Sequence, residues 1–216
     1  MKIVVTRPAG QEQDLVGRLE RLGHDVVHCP LIAIEPLGNE PIDVSAYDWV
    51  VVTSANGARE LVRRAAGPLP RVAAIGPATA EVLGRADLVP SVATQEGLLA
   101  ELPQPAGRVL FAAGEGARTL LPDELGADVV LLYRTRELQP KEFPAADLVI
   151  LTSASSARAL AALSTELPVV SIGPETSRAA RAAGLRIVAE ALPHSSDGLA
   201  VATLSVGDIA RMPPTS

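Results

Sequence analysis

Hydroxyl and amide side chains gather at a few points in this sequence, and the points come in pairs. Thr53, Ser54 and Asn56 follow one apolar run, and Thr152, Ser153 and Ser155 follow another. Ile75-Gly76-Pro77-Ala78-Thr79 has its counterpart in Ile172-Gly173-Pro174-Glu175-Thr176. Side chains of this kind at a helix start accept hydrogen bonds from the free N–H groups of the first turn, so capping is one reading. An anion site is the other. Helix N-termini and hydroxyls bind carboxylates or phosphates without any net positive charge on the chain. Either loop alone supports both readings. Their recurrence, each Thr-Ser loop beside a Gly-Pro loop, points to two similar surfaces that offer hydroxyls and amide N–H groups to one cleft.

Tyr133 is one of only two tyrosines and closes the run DVVLLY. A phenol there can donate a proton to a leaving group, or pack as an amphipathic residue at a strand end. Arg7, Arg134 and Arg136 can pair with carboxylates or stay solvated. Gly114-Glu115-Gly116 lacks the third Gly of a dinucleotide loop, with Thr119 in its place, which disfavours nucleotide binding. His24, His28 and His194 are scattered, so no metal site is expected. Cys29 is the single cysteine and cannot form an internal disulfide, in keeping with a reducing compartment. It reads as a packed thiol at the end of DVVHC rather than as a nucleophile.

The elements that must position these residues are short and apolar. KIVVT, DVVHC, WVVVTS, RVAAIG, RVLFAA, DVVLLY, DLVILTS, PVVSIG and RIVAE read as strands, mostly separated by helical patterns. Leu15, Val16, Leu19 and Leu22 fall on one helical face. Continuous apolar strands between helices imply buried parallel sheets in an α/β fold, with ligands at the carboxyl ends of the strands. The 216 residues suffice for two small domains or one large one, and 48% of them are apolar but few aromatic. No run approaches the roughly 18 apolar residues that span a bilayer, and no signal-type segment precedes KIVVT, so a cytoplasmic protein without membrane contact is expected. The net charge of −6, with arginines spread out, argues against a nucleic-acid surface.

The duplication extends beyond the loops. VVTSANGAREL (51–61) aligns with ILTSASSARAL (150–160), and Gly97-Leu98 with Gly198-Leu199. A second unit also repeats: KIVVTRPAG (2–10) matches RVLFAAGEG (108–116), and GHDVV (23–27) matches GADVV (126–130). The chain therefore reads as strand-helix-strand, a unit of about three strands, and then both again, a duplicated domain. Pro-rich or charged breaks at 30–43 and 133–144 follow the second strand of each copy and read as equivalent hinges. The pattern leaves two pairings open: each half folding by itself, or two lobes exchanging halves.

Taken together, Thr6-Arg7-Pro8, Thr53-Ser54-Ala55-Asn56-Gly57, Gly76 with Thr79, Gly97-Leu98-Leu99, Tyr133-Arg134, Thr152-Ser153-Ala154-Ser155, Gly173 with Thr176, and Asp197-Gly198-Leu199 resemble the uroporphyrinogen-III synthase family. The resemblance covers essentially the whole chain and rests on the order and spacing of the motifs. It implies two similar parallel-sheet, flavodoxin-like lobes with exchanged halves, joined by a two-stranded hinge, with a cleft between them. The lobes would be 1–34 with 140–216, and 40–132, with 35–39 and 133–139 as hinge segments. It also implies cyclisation of hydroxymethylbilane with inversion of the last ring and loss of water, with no cofactor. Tyr133 would assist departure of the hydroxyl. Thr6, Arg7, Thr53, Ser54, Asn56, Gly76, Thr79, Thr152, Ser153, Ser155, Gly173 and Thr176 would bind the substrate's carboxylates. Ala113 departs from the family pattern, which usually has Arg there; Arg118 is the candidate replacement. A monomer is expected, with at most transient contact with the preceding pathway enzyme. The contrasting reading is a two-lobed binding protein for an anionic small molecule, without catalysis. The last five residues, Met212 to Ser216, are expected to fray.

Overall fold

In a computed structural model the chain is described through Arg211, with side chains through Val206; the expected fraying of 212–216 lies outside the described residues. Among the described residues, twelve strands and eight helices follow one another. The first stretch holds β1 (Lys2–Val5), α1 (Gln13–Arg21), β2 (Asp25–His28) and β3 (Ile32–Pro36). The middle stretch holds β4 (Ile42–Asp43), β5 (Trp49–Val52), α2 (Ala55–Arg64), β6 (Ala65–Ala66), β7 (Arg71–Ala74), α3 (Pro77–Leu83), α4 (Gln95–Glu101), β8 (Val109–Gly114), α5 (Leu120–Leu125) and β9 (Asp128–Glu137). The last holds β10 (Leu148–Leu151), α6 (Ala154–Ala161), β11 (Val169–Ser171), α7 (Pro174–Ala182), β12 (Ile187–Glu190) and α8 (Ser196–Arg211).

Two compact units result. One comprises Met1–Ala33 and the chain from Arg136 onward; the other comprises Ile34–Thr135. The first carries a sheet of order β12-β11-β10-β1-β2, the second a sheet of order β3-β9-β8-β5-β7, and β4 pairs with β6 separately. In the first sheet Val4 lies opposite Val149, and in the second Val50 lies opposite Leu110, both in parallel pairings. The halves are therefore exchanged: the opening strand-helix-strand joins the last three strands, and the second copy joins the middle ones. The chain crosses between the units twice, at 33/34 and at 135/136. Both crossings fall inside strands, β3 and β9, where the Pro-rich and charged composition had read as a break. The backbone there is paired: the Leu37 N–H donates to Leu132 O, and the Leu138 N–H to Leu31 O, each at 2.8 Å.

Central strands β1, β5, β8 and β10 are Val-, Ile- and Leu-rich because both faces of each sheet are covered. Each sheet accordingly has two apolar clusters. Ile3, Val5, Leu148 and Ile150 pack with α1 and α8 residues on one side, and Val4, Val149 and Leu151 with α6 and α7 residues on the other. In the second unit Val50 and Val52 pack with Leu61 of α2, and Val51 and Phe111 with Leu98 and Leu121. On α1, Leu15 and Leu19 are buried as the periodicity requires, but Leu22 stands just past the helix end and is 42% exposed.

The copies differ at one edge. β12 has no full counterpart in the middle stretch, where Leu88 makes only an isolated parallel bridge with Ala73. Pro90, two residues on, has no N–H to extend the ladder. The repeated Gly-Leu pairs are equivalent at atomic detail. Thr94 caps α4 by accepting from the Gly97 N–H at 3.0 Å, and Ser195 accepts from the Gly198 N–H at 3.2 Å. At both glycines a Cβ would overlap a backbone carbonyl, that of Val92 or Pro193, which accounts for the repeated glycine.

Candidate functional site

In the middle unit the site is built at the carboxyl ends of β5, β7 and β8, where Tyr133 of β9 lies opposite the last residue of β8. β5 ends at Val52, and Ser54 then adopts an extended conformation (φ −161°, ψ 150°) that places its side chain over the first turn of α2. The Ser54 Oγ accepts from the Gly57 N–H at 2.9 Å, an N-cap. The same oxygen lies 2.9 Å from the Tyr133 hydroxyl. Tyr133 reaches it from β9, two strands away in the sheet. The ring passes over Gly114, opposite Tyr133 in the ladder at a register shift between Ala113 and Gly114. A Cβ on Gly114 would lie 2.5 Å from the ring Cζ. The Glu115 N–H donates to Tyr133 O at 2.8 Å and fixes the backbone there. The Gly-Glu-Gly run is thus the end of β8 and the bed of a tyrosine, not a phosphate loop. Arg118, the candidate substitute for the absent family Arg, is exposed and paired with Glu96 at 2.5 Å.

Around this pair, Thr53 is half-buried and the Asn56 Oδ1 accepts from Arg59 at 2.9 Å. Gly76 is extended and precedes Pro77 at the start of α3. Thr79 is only 5% exposed.

The first unit presents the matching loops after β10 and β11. Ser153 caps α6 in a reciprocal capping box with Ser156, and the Ser155 Oγ accepts from Arg158 at 3.1 Å. Thr152 is half-buried. Gly173 is extended and precedes Pro174, while Thr176 is 3% exposed. Capping, one of the two readings of the Thr-Ser loops, thus holds for Ser54 and Ser153. Thr6 was expected to face substrate, but its side chain is fully buried and donates to Ile150 O at 2.8 Å, tying β1 to β10. Arg7 donates at 3.4 Å to Gln11 O, and its own carbonyl lies 2.8 Å from the His28 Nε2. Arg134, left open between ion pair and solvated charge, pairs with Glu35 at 2.9 Å.

Two features escaped the sequence reading. Ser171 Oγ lies 2.6 Å from Ser177 Oγ, which donates to Glu190, forming a hydroxyl chain that ends on a carboxylate. Its only trace in the sequence is a serine in the apolar run PVVSIG. The other is an asymmetry between the Gly-Pro loops. A Cβ on Gly173 would lie 3.2 Å from the His194 ring, whereas at Gly76 the neighbour is the Ala93 methyl at 3.5 Å. His194 and Ala93 each immediately precede the N-cap of the next helix, so equivalent positions carry an imidazole in one copy and a methyl in the other.

Among the described residues no group of His, Cys, Asp and Glu has the geometry to hold a metal ion, and no helix is long and apolar enough to cross a membrane. The Cys29 thiol is buried, which raises its pKa and suppresses the thiolate a nucleophile needs. What the site offers is a phenol held by the hydroxyl that caps α2.

Comparison with known proteins is consistent along the chain. The family described as "Uroporphyrinogen-III synthase HemD" matches residues 13–200. A uroporphyrinogen-III synthase from Synechococcus elongatus is 28% identical, the alignment covering 93% of each chain. A putative uroporphyrinogen-III synthase from Archaeoglobus fulgidus is 31% identical over 86% of this chain and 91% of its own. The crystal structure of a mutant uroporphyrinogen III synthase from Thermus thermophilus superposes with a TM-score of 0.64, covering 98% of this chain and all of the other, at 17% identity. That structural likeness speaks to the fold.

Proposed function

Because this chain belongs to the uroporphyrinogen-III synthase family, we propose that it cyclises hydroxymethylbilane to uroporphyrinogen III with inversion of ring D and loss of water. The observation that supports a chemical role for this chain's own residues is the Tyr133 hydroxyl, held at 2.9 Å by Ser54 at the strand ends. The reaction begins when the C–O bond of the terminal hydroxymethyl group breaks. Tyr133 donates its proton to the departing oxygen, which leaves as water. The resulting azafulvenium cation, its charge matched by the tyrosinate left behind, is attacked by the substituted carbon of the last pyrrole. The spiro intermediate fragments and recloses through the other ring position, and a final proton loss restores aromaticity and the acid. Electron-rich pyrroles drive these steps, so the enzyme's work is to hold one conformation and assist the leaving group.

The substrate's carboxylates would be held by the strand-end loops: Thr53, Asn56, Gly76 and Thr79 in one unit, and Arg7, Thr152, Ser153, Ser155, Gly173 and Thr176 in the other. With Thr79 and Thr176 buried, and the Thr79 N–H donating to Gly76 O at 3.1 Å, other backbone N–H groups of these loops are favoured as the donors. Thr6 then acts only through the fold. We read the protein as a cytoplasmic monomer that needs no cofactor and meets the preceding pathway enzyme transiently.

The test is product analysis. Hydroxymethylbilane is incubated with purified protein, and the oxidised porphyrins are separated into isomers I and III. Dominant isomer III establishes the activity. Isomer I at the uncatalysed rate removes it.

A further inference from the structure

We propose that Ser54 is a positioning residue that acts through Tyr133, rather than a carboxylate ligand; the inference rests on the catalytic reading of Tyr133 above. A hydroxyl carries one donor hydrogen and two acceptor lone pairs. One Ser54 lone pair is occupied by the Gly57 N–H, the helix cap. Among the described residues, the remaining contact at hydrogen-bond distance is the Tyr133 hydroxyl, at 2.9 Å. With the cap bond in place, Ser54 can donate its hydrogen to the Tyr133 oxygen. The phenol hydrogen is then directed away from Ser54, toward whatever occupies the strand ends. When that hydrogen is given to a leaving hydroxyl, negative charge develops on the Tyr133 oxygen, and the Ser54 O–H is already aimed at it. A preset donor of this kind stabilises the charged state without reorganisation.

Two more features hold the arrangement. Gly114 leaves room for the ring to lie over β8, and the Glu115 N–H pins the Tyr133 carbonyl. Ser54 itself cannot swing away without giving up the cap of α2. The corresponding serine of the other copy, Ser153, is engaged by Ser156 in its capping box instead. The duplicated Thr-Ser loops thus have different tasks, and Ser54 is the one coupled to a phenol.

The test separates capping from positioning. Glycine is well tolerated at an N-cap, so Ser54→Gly removes the hydroxyl with little loss of the helix, and Ser54→Thr keeps both functions. Turnover, KM and melting temperature are measured for these two, for Tyr133→Phe, and for the double variant Ser54→Gly/Tyr133→Phe. Ser54→Gly is expected to lower kcat about tenfold, the scale of one hydrogen bond strengthened in the transition state, with KM within about twofold and Ser54→Thr restoring most of the loss. In the Tyr133→Phe background Ser54→Gly should add no further loss. A fall confined to KM, or an equal fall in kcat in both backgrounds, overturns the positioning role while leaving Tyr133 as the acid. A Tyr133→Phe protein that turns over like wild type overturns both the acid and its positioner, and isomer III as its product would still stand for the overall activity.

Discussion

Gly114 and Tyr133 face one another across β8 and β9 with so little room that a Cβ on Gly114 would fall 2.5 Å from the tyrosine's Cζ. The glycine is extended backbone, and what it supplies is space. Gly114→Ala is therefore expected to push the ring off its bed and break its contact with Ser54. The outcome to look for is a kcat lowered by about tenfold or more, with a melting temperature a few degrees lower as the sheet adjusts. Unchanged turnover would mean that the ring does not work from this position.

Gly97 and Gly198 make the same demand on a different object. At each, a Cβ would overlap a backbone carbonyl, that of Val92 or Pro193. A backbone carbonyl cannot rotate aside as a side chain can. Gly97→Ala and Gly198→Ala should each destabilise their unit by about 2 kcal/mol or more, read as a lower urea midpoint. By contrast Gly173→Ala meets only the His194 ring, which can swing away, and should fold nearly as well as wild type.

His24 should leave its mark on stability near neutral pH. Burial lowers its pKa from the ordinary value, with a smaller contribution from the N-terminal ammonium, and its Nε2 is buried without a hydrogen-bond partner among the described residues. The folded protein thus binds a proton at His24 less readily than the unfolded chain does. Stability should fall as pH drops below the unfolded value of about 6.5, and go on falling toward the folded pKa. Urea midpoints measured from pH 7.5 to 5.5 should decline more steeply for wild type than for His24→Gln. Equal slopes would remove His24 from the account.

Cys29 offers a probe of the first unit's integrity. Its thiol is buried and its pKa raised by that burial, so iodoacetamide at pH 7.5 should modify the native protein at least about tenfold more slowly than the urea-unfolded chain. Rapid native alkylation would show that the strand end at Cys29 opens on the experimental timescale.

The sequence by itself determined the central strands, the duplicated loops and the family. Val, Ile and Leu runs such as WVVV and LVIL specify strands because a strand buried on both faces needs apolar residues at every position, and that pattern is local. The Gly-Pro and Thr-Ser turns are local for the same reason, since caps and strand exits involve residues three or four apart. The exchange of halves was different. Repeats showed that units were equivalent, but two pairings satisfied the same pattern, and only the resemblance to a family favoured one. The tertiary structure decided what depends on sheet order and register: that Tyr133 reaches Ser54 across 79 residues of chain, that Thr6 turns inward to Ile150, that Ser171, Ser177 and Glu190 join, and that Leu88 stops at a single bridge. A residue's type says which hydrogen bonds it can make. Which partner it meets is set by the strand beside it, and that choice is made over distances no local pattern spans.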